Sequence, residues 1–485
     1  MAEATQDVTD PAGVTGQLCT WLTDLTLAVV PAETIERAKD LILDGLGCAI
    51  VGAQLPWSRV AVEAVLDLEG TGEAPIIGWD RTTTAPAAAL LNGTFIQGFE
   101  LDDFHPLGPL HSASVVLPAL FALASRQKIS GADFLLASIA GFEVGPRVGM
   151  ALRGPQMLSR GWHSGAVFGT HAAAVAVGKV LGFSPGTYED ALGLAGTQSA
   201  GLMAAQYEAM CKRMHHGFSA KSGYYAAMLA KGGYTGIKRV FERDYGGFLA
   251  VFGEGHEPLP EKISEGLGEQ WETHRIVLKP YAAMGALHAP LDAVFKIAER
   301  RPWKADDIEH IEIGMSHAAY HHGWWEVERP LTPIGAQMNV GYAVAAAILD
   351  GAAMVHQFSP TRIDADDVWS LIPKIRAHHN PDMDGFGRTG NITMVVSYTD
   401  GTEATQHIGM PRTVADPLKR DEVLAKFATL TEGIIDNDRR DAIVRAVLGL
   451  DTLSDVGDLV ALLAPTVGSP FEVHAGQEAT HVQVG

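Results

Sequence analysis

The stretch 31–44, Pro-Ala-Glu-Thr-Ile-Glu-Arg-Ala-Lys-Asp-Leu-Ile-Leu-Asp, has the residue pattern of an amphipathic helix. Ile35, Ala38 and Ile42 recur three and four residues apart, so they share one face. Pro31 suits the start of such a helix, because the N–H that proline lacks has no partner there. Later segments of the first half are apolar on every side, which is typical of helices buried among other helices. These segments are 113–126, 131–150, 165–182, 187–204 and 219–232.

The pattern changes in the second half of the chain. Residues 308–315 alternate apolar and polar side chains as a strand does, and 392–398 is also typical of a strand. Thr399-Asp-Gly401 is a hairpin-turn sequence that leads into 402–408. Between these strands, 335–350 is rich in alanine and predicts a helix. We therefore predict a mainly α protein with a large all-helical domain and a smaller α+β lid domain.

This change of pattern also predicts the domain boundaries. We expect residues 13–273 to form the first part of the helical domain and 274–410 to form the lid. Helical spacing then returns, so 411–465 is expected to rejoin the helical domain as C-terminal helices. Residues 1–12 and 466–485 are expected to be disordered tails. Neither domain alternates strands and helices as a doubly wound nucleotide-binding fold would.

The chain of 485 residues carries a formal net charge of −21. An acidic protein repels nucleic acid and anionic membranes, so neither is an expected partner. An anionic ligand is repelled as well, unless a local cluster of Lys, Arg and His attracts it. The three cysteines include no Cys-x-x-Cys pair, and the N-terminus has no secretory signal pattern, so we expect a cytoplasmic protein.

Several cofactor motifs are missing from the sequence. It has no Gly-x-Gly-x-x-Gly after a strand, no phosphate-binding Gly-Lys-Ser/Thr loop and no His-Glu-x-x-His. The sequence therefore predicts neither a nucleotide nor a metal ion as cofactor.

Acidic and histidine side chains are concentrated in the segment 99–114. Glu100, Asp102, Asp103 and His111 precede the apolar helix that is predicted next along the chain. The N-terminus of a helix favours an anion, so a loop that presents His111 there is typical of an anion-binding site. A solvated acidic turn that only caps the helix has the same sequence pattern.

Basic side chains form a second cluster at 211–221. Lys212, Arg213 and His215 lie between apolar flanks, which favours a cavity that holds an anion, although a solvated basic turn has a similar composition. Lys279 lies in an otherwise apolar stretch, where a lysine either has a buried partner or extends to solvent.

Two further segments combine histidine with aromatic residues. His163 follows Trp162 and precedes a helix that is expected to be buried. The start of that helix offers free N–H groups to an anion, while packing or capping explains the histidine equally well. Tyr320-His-His-Gly-Trp-Trp325 fits either a binding site or the packing of an interface.

Taken in order, these blocks resemble the MmgE/PrpD family over roughly residues 13–465. The resemblance rests on Glu100-Leu-Asp-Asp103 followed by His111-Ser, on Gly161-Trp-His163, on Lys212 through Gly217, and on Lys279-Pro-Tyr281. Within the family, these motifs resemble those of the fungal decarboxylases. The resemblance implies a homodimer with its site between lid and helices, and without a metal or an organic cofactor.

The resemblance also assigns site residues by position. The implied catalytic residues are His111, His163, Lys212, Lys279 and Tyr320. The implied substrate-binding residues are Glu100, Asp102, Asp103, Phe104, Arg213 and His215. Two positions depart from other members: many have Asp at position 100, and mammalian-type decarboxylases have Thr at position 104, in a loop that is one residue longer here.

The implied activity is that of a carboxy-lyase that converts the tricarboxylate cis-aconitate to itaconate and CO2. Lys212 and Lys279 would hold the retained carboxylates. His111 would be the general acid, because histidine side chains titrate near neutrality. His163 and Tyr320 would position the substrate or adjust the proton donor. The alternatives are a hydro-lyase of the 2-methylcitrate dehydratase type, an epimerase or isomerase of a small polycarboxylate, and a catalytically inactive helical scaffold.

Overall fold

The computed structural model describes residues 7–384 and 390–474. Its helices are α1 (Val14–Asp24), α2 (Ala32–Ala53), α3 (Pro56–Leu68), α4 (Ala85–Ile96), α5 (Ala113–Ala124), α6 (Gly131–Ala151), α7 (Gly154–Ser159), α8 (Ser164–Val180), α9 (Pro185–Gly196), α10 (His215–Lys231), α11 (Phe248–Phe252), α12 (His288–Ala298), α13 (His317–Gly323), α14 (Pro333–Met338), α15 (Val340–Asp350), α16 (Pro360–Ile363), α17 (Asp366–Leu371), α18 (Arg412–Ala415), α19 (Arg420–Thr431), α20 (Asn437–Leu448), α21 (Gly457–Leu463) and α22 (Pro470–His474). Its strands are β1 (Ala74–Ile76), β2 (Arg81–Thr83), β3 (Ile308–Met315), β4 (Ile375–His379), β5 (Ile392–Tyr398) and β6 (Glu403–Ile408). This composition confirms the predicted fold class, a large helical part with a smaller α+β part.

Helix α8 packs against α6 and α10 in the helical part. Its residues from 164 to 178 are all buried, as expected for a helix that is apolar on every side. Gly223 of α10 permits a close approach, because a Cβ at this position would lie 2.5 Å from the Cβ of Ala173 and 2.5 Å from the carbonyl oxygen of Thr170. A larger side chain would therefore displace α10, which begins at the basic cluster.

Helix α6 is long and apolar enough to cross a membrane by length and composition, and the bent pair α2 and α3 passes the same test when taken together. In the structure, 89% of the apolar window of α6 is buried inside the protein. The apolar composition of α6 thus corresponds to its burial among other helices.

Four strands form a mixed sheet in the order β4-β3-β5-β6. β3 is parallel to β4, with Ile311 opposite Ile375, and antiparallel to β5, with Ile313 opposite Met394. β5 and β6 form a hairpin in which Gly401 has a φ of +80°, a conformation that glycine adopts most readily. The strands predicted at β3, β5 and β6 are confirmed. β4 was not predicted, because its short sequence has one β-branched residue.

Helix α19 packs against α2, so the chain returns to the helices of its first half after the sheet. Arg420 donates a hydrogen bond to Asp40, and Nζ of Lys426 lies 2.6 Å from the carboxylate of Asp44. Lys426 also donates to the carbonyl of Leu101 at 2.7 Å, which connects α19 to the acidic segment. The domain boundaries given above stay a prediction.

Both predicted tails include segments with fixed contacts. Thr9 donates its backbone N–H and its hydroxyl to Glu189, each at 3.0 Å. Phe471 of α22 packs edge-on against Phe99, with ring centroids 5.6 Å apart. Here the structure differs from the expected disorder, because side chains distant in sequence hold both segments. Outside the described residues lie the remaining tail positions, 1–6 and 475–485.

Candidate active site

A cavity of about 950 Å³ has walls from the helical part and from the lid segment. The predicted site residues that line it are Glu100, Phe104, His111, His163, Lys212 and Lys279. Its apolar lining includes Leu158, Met203, Met284, Met338 and Met410. Charged groups at a few points of an otherwise apolar wall are typical of a small-molecule site.

Glu100 holds the basic side chains of the cavity together. It is buried and has a φ of +54°, in the left-handed region. Its carboxylate accepts hydrogen bonds from Nζ of Lys212, from Nη1 of Arg213 at 2.8 Å and from Nζ of Lys279 at 2.9 Å. Burial alone would raise the pKa of Glu100, but the three cations hold it well below its usual value. Glu100 is therefore ionised, and three cations share its charge.

The cluster around Glu100 has an excess of positive charge. Asp102 offsets a second charge, since its Oδ1 lies 3.8 Å from Nζ of Lys279. Three cations then face two carboxylates. Burial lowers the pKa of Lys212, while the neighbouring Glu100 opposes that shift. Because water screens little charge in such a buried place, this excess of positive charge attracts an anion.

Asp102 and His111 form a pair at the edge of this cluster. Oδ2 of Asp102 lies 3.1 Å from Nδ1 of His111, and the Asp102 side chain is fully buried while that of His111 is 16% exposed. Pairing at Nδ1 leaves Nε2 as the nitrogen available to a ligand. His111 is thus a candidate proton donor or acceptor at the cavity wall.

Asp103 was predicted to bind substrate, but it does not line the cavity. Its carboxylate accepts hydrogen bonds from the N–H of Ser112 at 2.7 Å and of Ala113 at 3.0 Å, at the start of α5. Burial, together with the charge of Asp102, raises the pKa of Asp103 to about 8. These contacts hold Asp103 at the start of α5, in the loop that carries His111.

Three more histidines lie beside His111. The ring of His163 is 4.2 Å from that of His215 and 5.4 Å from that of His216, and His216 is 4.8 Å from His111. Burial lowers the pKa of His215 to about 4, and burial with neighbouring charges lowers the pKa of His163 and of His216 well below 6.5. These rings are therefore neutral near pH 7. Within the described ranges, no group of three or more His, Cys, Asp or Glu is placed to hold a metal ion.

Phe104 and Tyr320 differ in their relation to the cavity. Phe104 lines it, and its backbone exchanges two hydrogen bonds of 2.9 Å with Val277, which ties the acidic segment to the start of the lid. Tyr320 lies on α13, where its ring is 5.5 Å from that of His321, and it does not line the cavity. Arg213 and His215 also lie behind the lining. The structure thus brings six of the predicted residues to the cavity wall and leaves the others around it.

Sequence reasoning missed three buried polar residues near the site. His216 lies between His111 and His163, and the His-His doublet was its signal. Lys426 and Gln337 belong to segments whose sequences show no local pattern of a site. Lys426 is one of several polar residues on α19, and Gln337 is the single polar side chain of α14. Their contacts become visible only in the folded chain.

Comparisons with known proteins find similar sequences over nearly the whole chain. The model of the MmgE/PrpD N-terminal domain matches residues 16–260, and that of the C-terminal domain matches residues 281–451. A cis-aconitate decarboxylase-like protein of Aspergillus oryzae is 44% identical, over 94% of this chain and 98% of its own. Cis-aconitate decarboxylase of Aspergillus terreus is 41% identical, over 97% of this chain and 100% of its own. Human cis-aconitate decarboxylase is 28% identical, over 96% of this chain and 97% of its own. The higher identities of the fungal proteins confirm the predicted likeness.

Proposed function

Because the chain belongs to the MmgE/PrpD family, we propose that it is a carboxy-lyase that converts cis-aconitate to itaconate and CO2. The observation that carries the proposal is the Glu100 cluster, in which three cations meet on one buried carboxylate at the wall of a cavity. A tricarboxylate supplies the anionic charge that this cluster attracts. The names of the Aspergillus relatives support the same reaction.

Binding of the retained carboxylates falls to Lys212 and Lys279. Both line the cavity, and their ammonium groups bind carboxylates as point charges. Their burial strengthens each contact, since little water competes. Arg213 lies behind the lining and keeps Glu100 in place between the two lysines.

The departing carboxylate is the one on the CH2 carbon of cis-aconitate. Its C–C bond breaks, and that electron pair forms a new double bond to the central carbon. The pair of the former double bond moves to the CH carbon, beside a carboxylate, where negative charge develops. Apolar wall residues such as Leu158 and Met203 reduce hydration of the departing group, which favours loss of CO2.

His111 donates the proton to that CH carbon. Asp102 at Nδ1 orients the ring and leaves Nε2 for the transfer. His111 is then neutral, and solvent in the cavity returns its proton, so each turnover consumes one proton and releases one CO2. Neutral His163 contributes a hydrogen bond that orients the substrate. Tyr320 does not line the cavity, so we assign it no role in the reaction.

We propose that the protein is a homodimer. Helix α10 exposes Phe218, Tyr225 and Leu229, which are 46%, 43% and 41% exposed and share one face. Tyr234, at 62%, and Ile237, at 40%, continue this apolar surface after the helix. An exposed apolar face of this kind often marks a protein–protein interface, and a second copy of the chain would cover it.

We further propose a reaction without metal or organic cofactor, in the cytoplasm. The step needs only bound carboxylates, an apolar wall and one proton, each of which a described side chain provides. The cysteines Cys19, Cys48 and Cys211 are free thiols, which fits a reducing compartment.

The deciding experiment is proton NMR of chelator-treated protein with cis-aconitate. We expect the vinyl protons of itaconate to appear without added metal. If cis-aconitate stays unchanged while 2-methylcitrate or citrate loses water in the same assay, the protein is a hydro-lyase and the decarboxylase proposal is wrong. If itaconate forms only after metal is added, the cofactor-free mechanism is wrong, but the decarboxylase proposal still holds.

A further inference from the structure

Gln337 is a fully buried amide that the proposed reaction does not use. It lies on α14, and its Oε1 accepts a hydrogen bond from Nη2 of Arg213 at 2.7 Å. Its Nε2 donates to the carbonyl of Phe99 at 2.7 Å and to that of Ala282 at 2.9 Å. Both ends of the side chain are thus satisfied by partners from three different segments.

The chemistry of these partners fixes which way the amide points. A guanidinium group has only donors, so it must face the amide oxygen, and the two carbonyls have only acceptors, so they must face the NH2 group. Rotation of the Gln337 amide by half a turn would lose all three hydrogen bonds. Gln337 can therefore form all three hydrogen bonds only when the segments are arranged as they are in this structure.

The three segments are those that carry the charged groups of the site. Phe99 directly precedes Glu100, Arg213 directly follows Lys212, and Ala282 comes shortly after Lys279. The backbone carbonyl of Gln337 also accepts from the N–H of Met284 at 3.0 Å, so the Lys279 segment is held at two points. One residue of the lid thereby contacts each of the three segments that carry the charged groups of the Glu100 cluster.

The backbone of Glu100 needs such support. Its φ of +54° is costly for a residue with a side chain and persists only where the surroundings hold it. Gln337 binds the carbonyl just before this residue and, through Arg213, the carboxylate at its end. The backbone and the side chain of Glu100 are therefore fixed together.

We propose that Gln337 is a positioning residue that sets the distance between Lys212 and Lys279 by holding Glu100 and the lid segment in register. Gln337 is not among the residues that line the cavity. Its loss would let the two ammonium groups separate, so that a tricarboxylate no longer bridges them. This inference rests on the proposed function for its kinetic readout, but binding of a tricarboxylate tests it without turnover.

The test compares Gln337→Met, which keeps the length of the side chain and removes its hydrogen bonds, with Gln357→Met as a matched control. Gln357 is a buried amide of the same lid whose side chain bonds Asp350 and the N–H of Met354. The dissociation constant of tricarballylate, a saturated tricarboxylate that cannot be decarboxylated, is measured by calorimetry. The kcat and KM for cis-aconitate and the melting temperature are measured on the same samples.

We expect Q337M to weaken tricarballylate binding and kcat/KM by about tenfold to a hundredfold, the loss of a hydrogen bond to a charged group. Both variants should lower the melting temperature by a similar amount, because each loses buried hydrogen bonds. Q357M should nevertheless leave tricarballylate binding within about twofold of the parent, since the hydrogen bonds of Gln357 lie outside the Glu100 cluster. If both variants lose binding equally, or neither does, Gln337 has only a structural role. If the parent binds tricarballylate but does not convert cis-aconitate, the proposed reaction is wrong. The comparison of tricarballylate binding between Q337M and Q357M would still test the role of Gln337.

A double variant supplies a second readout. If Gln337 acts in part through Arg213, the loss in R213M/Q337M falls short of the product of the two single losses. Losses that multiply would overturn the proposal. Gln337→Glu is the substitute if Q337M does not fold. Its carboxylate keeps an acceptor for Arg213 but cannot donate to the carbonyls of Phe99 and Ala282, so we again expect weaker tricarballylate binding. Unchanged binding would contradict the inference.

Discussion

Oδ2 of Asp102 lies 3.1 Å from Nδ1 of His111, and this contact joins a fully buried carboxylate to a ring at the cavity wall. The two residues flank the loop whose other carboxylate, Asp103, holds the first N–H groups of α5. The loop and the helix start thus fix the position of the ring, while its Nε2 stays available.

Replacement of His111 by Gln removes the proposed proton donor. We expect the production of itaconate to fall about 100- to 10,000-fold, the usual contribution of general acid catalysis, with an unchanged melting temperature. Rates are measured by NMR with saturating cis-aconitate. Unaltered turnover would exclude His111 from the reaction.

Replacement of Asp102 by Asn leaves a side chain of the same shape without charge. We expect kcat to fall at least about tenfold, because the His111 ring loses the partner that orients it, whereas tricarballylate still binds. The kinetic measurement is combined with a binding measurement on the same sample. A variant with full kcat would show that Asp102 serves stability alone.

Replacement of Lys279 by Met removes one of the three cations on Glu100. We expect KM for cis-aconitate to rise about tenfold or more, because one carboxylate of the substrate loses a charged partner. Lys296→Met, at an exposed lysine of α12, is the control and should behave as the parent does. Equal KM values for the two variants would rule out Lys279 as a binding residue.

Acid stability depends in part on His171, which packs between Phe241 and Phe248 with ring centroids 5.2 and 4.5 Å away. Burial lowers its pKa from 6.5 to about 3. Between these pH values the unfolded chain binds a proton at this position and the folded protein does not, so the free energy of unfolding falls as pH falls below 6.5.

In the His171→Leu variant, the free energy of unfolding should therefore fall less steeply with decreasing pH than in the parent. The difference should be about 1.4 kcal/mol for each pH unit below 6.5. The measurement is urea unfolding at pH 7.0, 6.0 and 5.0, with the exposed His407→Leu as control. The prediction fails if H171L and the parent lose stability with equal slope.

The apolar face of α10 is tested with Leu229→Glu. We expect the protein to change from dimer to monomer in light scattering, because a buried carboxylate at the interface is costly. Lys231→Glu adds charge on the opposite side of the same helix and should leave the dimer intact. A parent that is already a monomer would contradict the homodimer proposal directly.

Much of the site was predictable because its residues stand out locally. Lys212 and Arg213 are basic in an acidic chain, and Lys279 lies in an apolar stretch where it needed a partner. The sequence could not identify that partner, because a lysine of this kind pairs equally well with any carboxylate that the fold brings near. Glu100 is common to both lysines only after helix packing and the lid bring three distant segments together.

By itself, the sequence determined the long apolar helices and the strands β3, β5 and β6, through their hydrophobic periods, and the family, through its ordered motifs. Tertiary structure alone decided which polar residues reach the cavity. Asp103 turned to cap α5, Tyr320 stayed outside the lining, and Gln337 joined three segments. The physical reason is that periodicity is a property of neighbours in sequence, whereas a hydrogen bond to a buried partner depends on distances that only the packed chain sets.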